Sequence, residues 1–439
     1  MKLDLKRTIY IGFGFLTIMM LWQVYNWMVP LFLQSFLEDL LGGELVVGIV
    51  MALDNLFALF MIPVMSNLSD KTHTKLGRRM PYLVVGIILS AVTFALLPIT
   101  KGLDSIWLLI VNILLVLVFM NIYRAPCVAL MPDITPKPLR SKGNSIINLM
   151  GGVGFAIGYL CIMFLSKNSE VAPFIVVSVI MLICLGIMLW KVRENKFVAD
   201  YRRQLSELGM SEEEDQKEDE EKGVKAKTNK RNVWLMLLVV FFVYMANNAV
   251  ETFISLYSKN IYGDVSGLPF NMEPGSLAMV PFGVATFAFA VPAALLAQKI
   301  GRRLTVMIGA GFLFFAYGGV GLIGYLAGFS LWLLVFFLIG GAGFALITIN
   351  IYPMVVDNCS AAETGRYTGY YYTASMLAQS VTPAFSGLFI SNLVFNTYNV
   401  LFPYCMIFVS GAVIVLLLMN KNDKKEKNVE TVVENTDKA

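Results

Sequence analysis

The sequence predicts an all-α membrane protein of twelve transmembrane helices, arranged as two pseudo-symmetric six-helix bundles. Three observations predict it. Apolar blocks long enough to cross a bilayer recur along the chain, one long polar stretch divides them six and six, and short motifs of the first half return in the second. With 57% hydrophobic and 15% charged residues among 439, and a mean hydropathy of +0.69, the chain is too apolar to cover its own surface in water.

A helix rising 1.5 Å per residue needs about 20 residues to cross ~30 Å of hydrocarbon. Twelve blocks meet that length, at 8–36, 44–66, 82–98, 105–131, 142–165, 171–190, 233–257, 276–298, 303–327, 331–356, 369–392 and 397–419. They show no alternation of polarity, which excludes a transmembrane β-barrel. Lys2, Lys6 and Arg7 ahead of the first block mimic a signal peptide, but the apolar run is too long and lacks a small-residue cleavage site. It reads as a retained first span.

Cationic residues gather at the N-terminus, in 71–79, 137–142, 191–231 and 299–303, at Arg366 and from Lys421, whereas the alternate loops hold only Lys101, Lys167 and Lys259. Short cationic loops stay cytoplasmic, so both termini are expected there, in a multi-pass protein of a plasma or bacterial inner membrane. The net charge of +4 expresses this topology and gives no reason to expect a nucleic-acid partner. Cys127, Cys161, Cys184, Cys359 and Cys405 show no CxxC spacing and the one histidine, His73, lies in a loop, so neither a metal site nor a cofactor is expected. The sequence also lacks a nucleophile–histidine pair and a phosphate loop, which argues against an enzyme.

The expected organisation is an N-terminal bundle (1–190), a charged cytoplasmic linker (191–232), a C-terminal bundle (233–420) and a cytoplasmic tail (421–439). The linker runs from an acidic block, Glu212 to Glu221, into a basic end at Lys230-Arg231. Gly77-Arg78-Arg79 after span 2 recurs as Gly301-Arg302-Arg303 after span 8, 224 residues on. Asn121-Ile122-Tyr123 in span 4 returns as Asn350-Ile351-Tyr352 in span 10, and the Arg140 and Arg366 motifs open spans 5 and 11 at an offset of 226. A 6+6 duplication explains all three, and internal repeats are how many secondary transporters build alternating access.

Residues 67–82, Asn-Leu-Ser-Asp-Lys-Thr-His-Thr-Lys-Leu-Gly-Arg-Arg-Met-Pro-Tyr, resemble the loop between helices 2 and 3 of the major facilitator superfamily. Their Ser-Asp start and Gly-Arg-Arg-x-Pro-aromatic end more closely resemble the proton-coupled sucrose carriers. Residues 125–133, Ala-Pro-Cys-Val-Ala-Leu-Met-Pro-Asp, are similar to the span-4 exit of those carriers and of the glycoside–pentoside–hexuronide:cation symporters. The resemblance implies the major facilitator fold, with spans 1, 4, 7 and 10 lining a cavity. The span-4 coupling acids of both families are missing: one falls near Leu117, and the other aligns with Arg124.

An ionisable residue within a span costs several kcal/mol, which singles out Asp54, Arg124 and Glu251. Glu251, near the middle of span 7, is the expected coupling acid and Asp54 the second, because a carboxyl in a low dielectric favours its neutral form. Polar stripes at helical spacing add Gln23, Tyr25, Asn26 and Trp27 in span 1, Asn248 in span 7, and Tyr372 and Gln379 in span 11. With Asn121, Arg124 and Asn350 these are the expected substrate contacts, since amides and acids bind hydroxyls and aromatic faces stack on sugar rings. Asp70, Gly77, Arg78 and Arg79, with Asp133 and Arg140, read as a gate whose ion pairs exchange between conformations. The expected function is import of a sugar, coupled to protons, by a monomer in the lipid bilayer. The alternatives are a proton-driven exporter of a drug or metabolite and a non-transporting sugar sensor. The topology is checked by cysteines placed near Asp104 and Asp264, which are expected to react with an impermeant maleimide from outside the cell; labelling only from the cytosol would invert the orientation.

Overall fold

The computed structural model describes residues 4–135, 137–207, 228–265, 267–360 and 363–419; the acidic block of the linker and the 421–439 tail lie outside them. Fourteen α-helices are present among the described residues. The first half holds α1 (Leu5–Leu37), α2 (Gly43–Lys71), α3 (Met80–Gly102), α4 (Ile106–Ile134), α5 (Lys137–Cys161), α6 (Ala172–Lys191) and α7 (Glu194–Glu207). The second holds α8 (Lys230–Tyr257), α9 (Pro274–Ala288), α10 (Ala290–Ile300), α11 (Arg302–Ala327), α12 (Trp332–Asp357), α13 (Thr364–Ile390) and α14 (Leu401–Leu418). A π-helical turn extends α5 to Ser166 and another extends α8 to Tyr262.

Ten of these helical runs are long and apolar enough to cross a membrane, and the bent pair α9–α10 makes an eleventh. The bend of 52° falls at Phe289, three residues before Pro292. Proline removes the amide that would reach Ala288 and its ring crowds that carbonyl, which breaks the helix there. The 27-residue α13 completes twelve crossings; its Tyr, Ser and Gln content sets it apart from the more apolar spans. The linker departs from a purely solvated segment, because its first part is α7. That helix lies against the first half: Tyr201 is buried, Arg7 bonds Asp200 at 2.8 Å, and the same guanidinium sits 4.0 Å over the Phe197 ring.

The halves meet along α2–α13 and α5–α9, the two seams that the internal repeat relates, while α1 touches α8. Both seams are closed by glycines, which let backbones approach as in other membrane bundles. A β-carbon at Gly48 would overlap the Pro383 carbonyl, one at Gly387 the Glu44 carbonyl, and one at Gly152 would come within 2.9 Å of the Phe287 ring. Polar contacts between halves gather at the end away from the described chain termini, here the far end. There Lys167 pairs with Asp264 at 2.6 Å, Asn271 donates to Asn168 at 2.8 Å, and the Gly42 amide donates to Asn392 at 2.7 Å. The Glu273 amide also donates to the Met163 carbonyl at 3.0 Å. The molecule is therefore closed at the far end.

Toward the other end α2 is less covered. Down to Ala58, most of α2 is buried or half-buried, but Leu59, Phe60 and Val64 are 40%, 65% and 60% exposed. Because the obstacle at Gly48 is backbone, which cannot move aside, Gly48→Leu is expected to cost about 1–3 kcal/mol through overpacking and to lower the melting temperature in detergent. Gly186→Leu, at a glycine with nothing within 4 Å, is the control and is expected to melt no earlier than the parent.

Candidate functional site

Four helices bring one polar group together at the seam. Tyr25 of α1 and Asp54 of α2 are 2% and 3% exposed, and neither the Tyr25 hydroxyl nor Asp54 Oδ1 has a hydrogen-bond partner. Arg124 of α4 lies within electrostatic reach of Asp54 without forming an ion pair, leaves Nη1 unpartnered, and rests its guanidinium 4.6 Å over the Trp22 ring. Glu251 of α8 accepts a bond of 2.8 Å from the Asn247 amide and interacts electrostatically with Asp54. Beside it Asn248, also buried, leaves Oδ1 free. Unpaired polar atoms in a dry interior are costly and rare. Such atoms occur elsewhere among the described residues too, Asn121 Oδ1, the Tyr123 hydroxyl and Ser255 Oγ included. But four of them meet at this junction of the halves, where they are free to take a polar partner.

Glu251 lies a little past the midpoint of α8 on the closed-end side, the π-helical turn that carries the helix on to Tyr262 bringing it nearer the middle, and is in electrostatic reach of Tyr159 and Tyr244.

The remaining expected contacts divide. Tyr25, Asn26 and Trp27 are consecutive on a helix and point about 100° apart, so they do not act as one set. Trp27 faces a separate far-end cavity of about 370 Å³, with Ser255, Lys167 and Glu273, and meets Tyr159 edge-on at 6.2 Å. Gln23 packs against Gly158, and Asn26 is half-buried. Asn121 and Asn350 are each buried and donate to the carbonyl four residues back; Asn121 leaves Oδ1 without a partner, and Asn350 also reaches the Ala293 carbonyl beyond the α9–α10 break at 3.3 Å. The Gln379 side-chain amide donates to the Ser375 backbone carbonyl, and the Gln379 backbone carbonyl accepts from Asn55 across the seam at 3.3 Å. Tyr372 is exposed. Sequence reasoning missed Trp22, whose aromatic ring one helical turn before Asn26 was the available signal.

The gate residues are brought together by an element that the hydropathy pattern did not show. Arg79 bonds Asp133 at 2.8 Å and also Asp70 and Ser69, and Arg78 pairs with the other Asp133 oxygen at 2.8 Å. Burial works against the Arg79 charge, but Asp133 and Asp70 outweigh it and hold its pKa above the usual arginine value. Glu194, the first residue of α7, accepts the amides of Arg78, Arg79 and Met80 at 2.9–3.0 Å and so caps α3. Gly77, at φ +119°, leaves no room beside that carboxylate for a side chain. Arg140 donates with Nε to the Thr135 carbonyl at 3.1 Å.

The family model described as Major Facilitator Superfamily matches residues 11–383 and 270–437. No curated protein sequence matches the chain. Among solved structures, the xylose transporter XylE from E. coli in its inward open conformation superposes with a TM-score of 0.67 at 15% identity, over 97% of this chain and 98% of that one. A bacterial homologue of the iron transporter ferroportin in an inward-facing state gives 0.65 at 12% identity, over 95% and 99%, and the nucleoside transporter NupG 0.63 at 14%, over 94% and 98%. At such identities the likeness is one of fold. The geometry itself yields a test: removing a buried cation from a group with two carboxyls leaves them uncompensated, so Arg124→Ala and Arg124→Gln are expected to cut initial solute uptake at least about tenfold, with Arg124→Lys intermediate. Normal uptake by Arg124→Ala would make the residue an anchor rather than part of the site.

Proposed function

The chain belongs to the Major Facilitator Superfamily and is a membrane transporter of small molecules, from which we propose that it imports a sugar or glycoside together with protons. One observation carries the substrate reading. Asp54 and Arg124 are an acid and a base within electrostatic reach of each other, yet each keeps a polar atom free. A sugar hydroxyl both donates and accepts, so neighbouring hydroxyls bridge such a carboxylate and guanidinium, while the free Tyr25 hydroxyl and Asn248 oxygen take others. Trp22 adds an aromatic face. The likeness of residues 67–82 and 125–133 to the sugar-carrier motifs supports the same reading.

In this proposal the cationic loops and both termini face the cytoplasm, the protein works as a monomer, and the far end faces outward. The structure would then be the state that releases solute inward. Glu251 takes a proton when the far end opens, since it lies toward that end. Solute held by Asp54 and Arg124 of the first half and by Asn248 of the second draws the halves together, and after the seam parts at the cytoplasmic end water takes the proton off. The ionic cluster of Asp70, Arg79 and Asp133, held by Glu194, is the cytoplasmic gate, set within the first half while that end is open. Glu251→Gln holds the side chain in its neutral shape. In proteoliposomes this variant is expected to lose uphill accumulation driven by a proton gradient while keeping exchange of labelled for unlabelled sugar. Accumulation by the variant would transfer the coupling role to Asp54.

A further inference from the structure

Two helical turns from the central group, toward the open end, lies a second feature. Tyr244 of α8, Tyr352 of α12, and Tyr371 and Tyr372 of α13 form an aromatic cluster, with ring centroids 5.2 Å apart for Tyr352–Tyr371, 5.4 Å for Tyr371–Tyr372 and 6.5 Å for Tyr352–Tyr372. Tyr244 and Tyr371 are within electrostatic reach of each other, and the hydroxyls of Tyr352 and Thr368 lie 3.2 Å apart. Tyr371 is 7% exposed and serves as scaffold, whereas Tyr372 presents 57% of its surface.

The direction Tyr372 faces follows from helix phase. Residues 372, 379, 383 and 387 share one side of α13. At Pro383 and Gly387 that side is packed on Gly48 and Glu44 of α2. At Tyr372 the same side is uncovered, the side chain being 57% exposed, and α2 is likewise exposed at Leu59, Phe60 and Val64. Tyr372 therefore looks into the gap between the halves, on the way from the central group to the open end.

The spacing selects a ligand. Tyr244 precedes Glu251 by seven residues on one helix, roughly 10 Å, a span comparable with two linked six-membered rings. A tyrosine face with its hydroxyl at the edge suits a flat ring carrying polar substituents. We propose that Tyr372, braced by Tyr352 and Tyr371, is the floor of a second-ring subsite, and that the transported solute is a two-ring glycoside whose sugar occupies the central group. This rests on the sugar reading of that group and adds the aglycone to it.

The experiment measures binding to the purified full chain in lipid nanodiscs by calorimetry, using methyl and 4-nitrophenyl glycosides of glucose, galactose, xylose and glucuronic acid. For a sugar that binds, the 4-nitrophenyl glycoside is expected to bind on the order of five- to tenfold more tightly than the methyl glycoside, an advantage that falls to within about twofold of parity in Tyr372→Ala and persists in Tyr372→Phe. Tyr325→Ala, at a 71% exposed tyrosine near the far end of α11, is the control and is expected to change neither affinity. A merely structural role for Tyr372 lowers both affinities together and leaves their ratio intact, which overturns the subsite. So does a parent protein that binds methyl glycosides without preferring the aryl ones. If neither class binds at all, the sugar reading itself falls and takes the subsite with it.

Discussion

Hydrocarbon offers no hydrogen bond, and this constraint shapes the whole chain. Backbone groups are satisfied by helices, and side-chain donors within them turn back on the same helix where they can: Thr252 bonds the Asn248 carbonyl, Thr382 that of Ala378, and Asn121 and Asn350 those of Leu117 and Leu346. Against that background the residues that do not satisfy themselves stand out. Tyr25, Asp54, Arg124 and Asn248 each leave an atom open at the junction of the halves, where the proposed sugar would supply the missing partners. Poor self-satisfaction here is a binding property, since a site whose groups paired with one another would have to break those pairs to admit a guest.

Much of the architecture was legible because hydropathy reports directly on crossing. The twelve blocks correspond to α1–α6, α8, the bent α9–α10 pair and α11–α14, within a few residues at most ends. What hydropathy cannot report is a polar helix that lies on the protein rather than in lipid, so α7 was hidden within a run of charges. Glu194 was hidden with it, since a carboxylate capping a distant turn leaves no periodic trace. At the site, the three ionisable residues were visible because charge within a span is rare. The aromatic contacts were not, because Trp22 and Trp27 occupy one apolar helix and only packing decides which faces the guanidinium and which faces the far-end cavity.

The repeated motifs also show how far the two copies have diverged. In the first half, Gly77-Arg78-Arg79 is locked by Asp133, Asp70 and the Glu194 cap. In the second, Arg302 pairs with a largely exposed Asp357, and Arg303 spends its guanidinium on the Leu416 carbonyl. Exposed pairs contribute little and a buried capped cluster contributes more, so the same tripeptide stiffens one bundle and only loosely tethers the other.

The glycine seams carry a consequence for speed. Gly48 against Pro383 and Gly387 against Glu44 hold the halves by close approach of backbones, with many weak contacts and few strong directional ones. Such a joint opens like adhesive tape peeled from one edge, a little at a time, without a single bond whose rupture sets the height of the barrier. The α2–α13 seam is close-packed at Gly48 and Gly387 and less covered beyond Leu59, so in the proposed cycle opening would start from the less covered end.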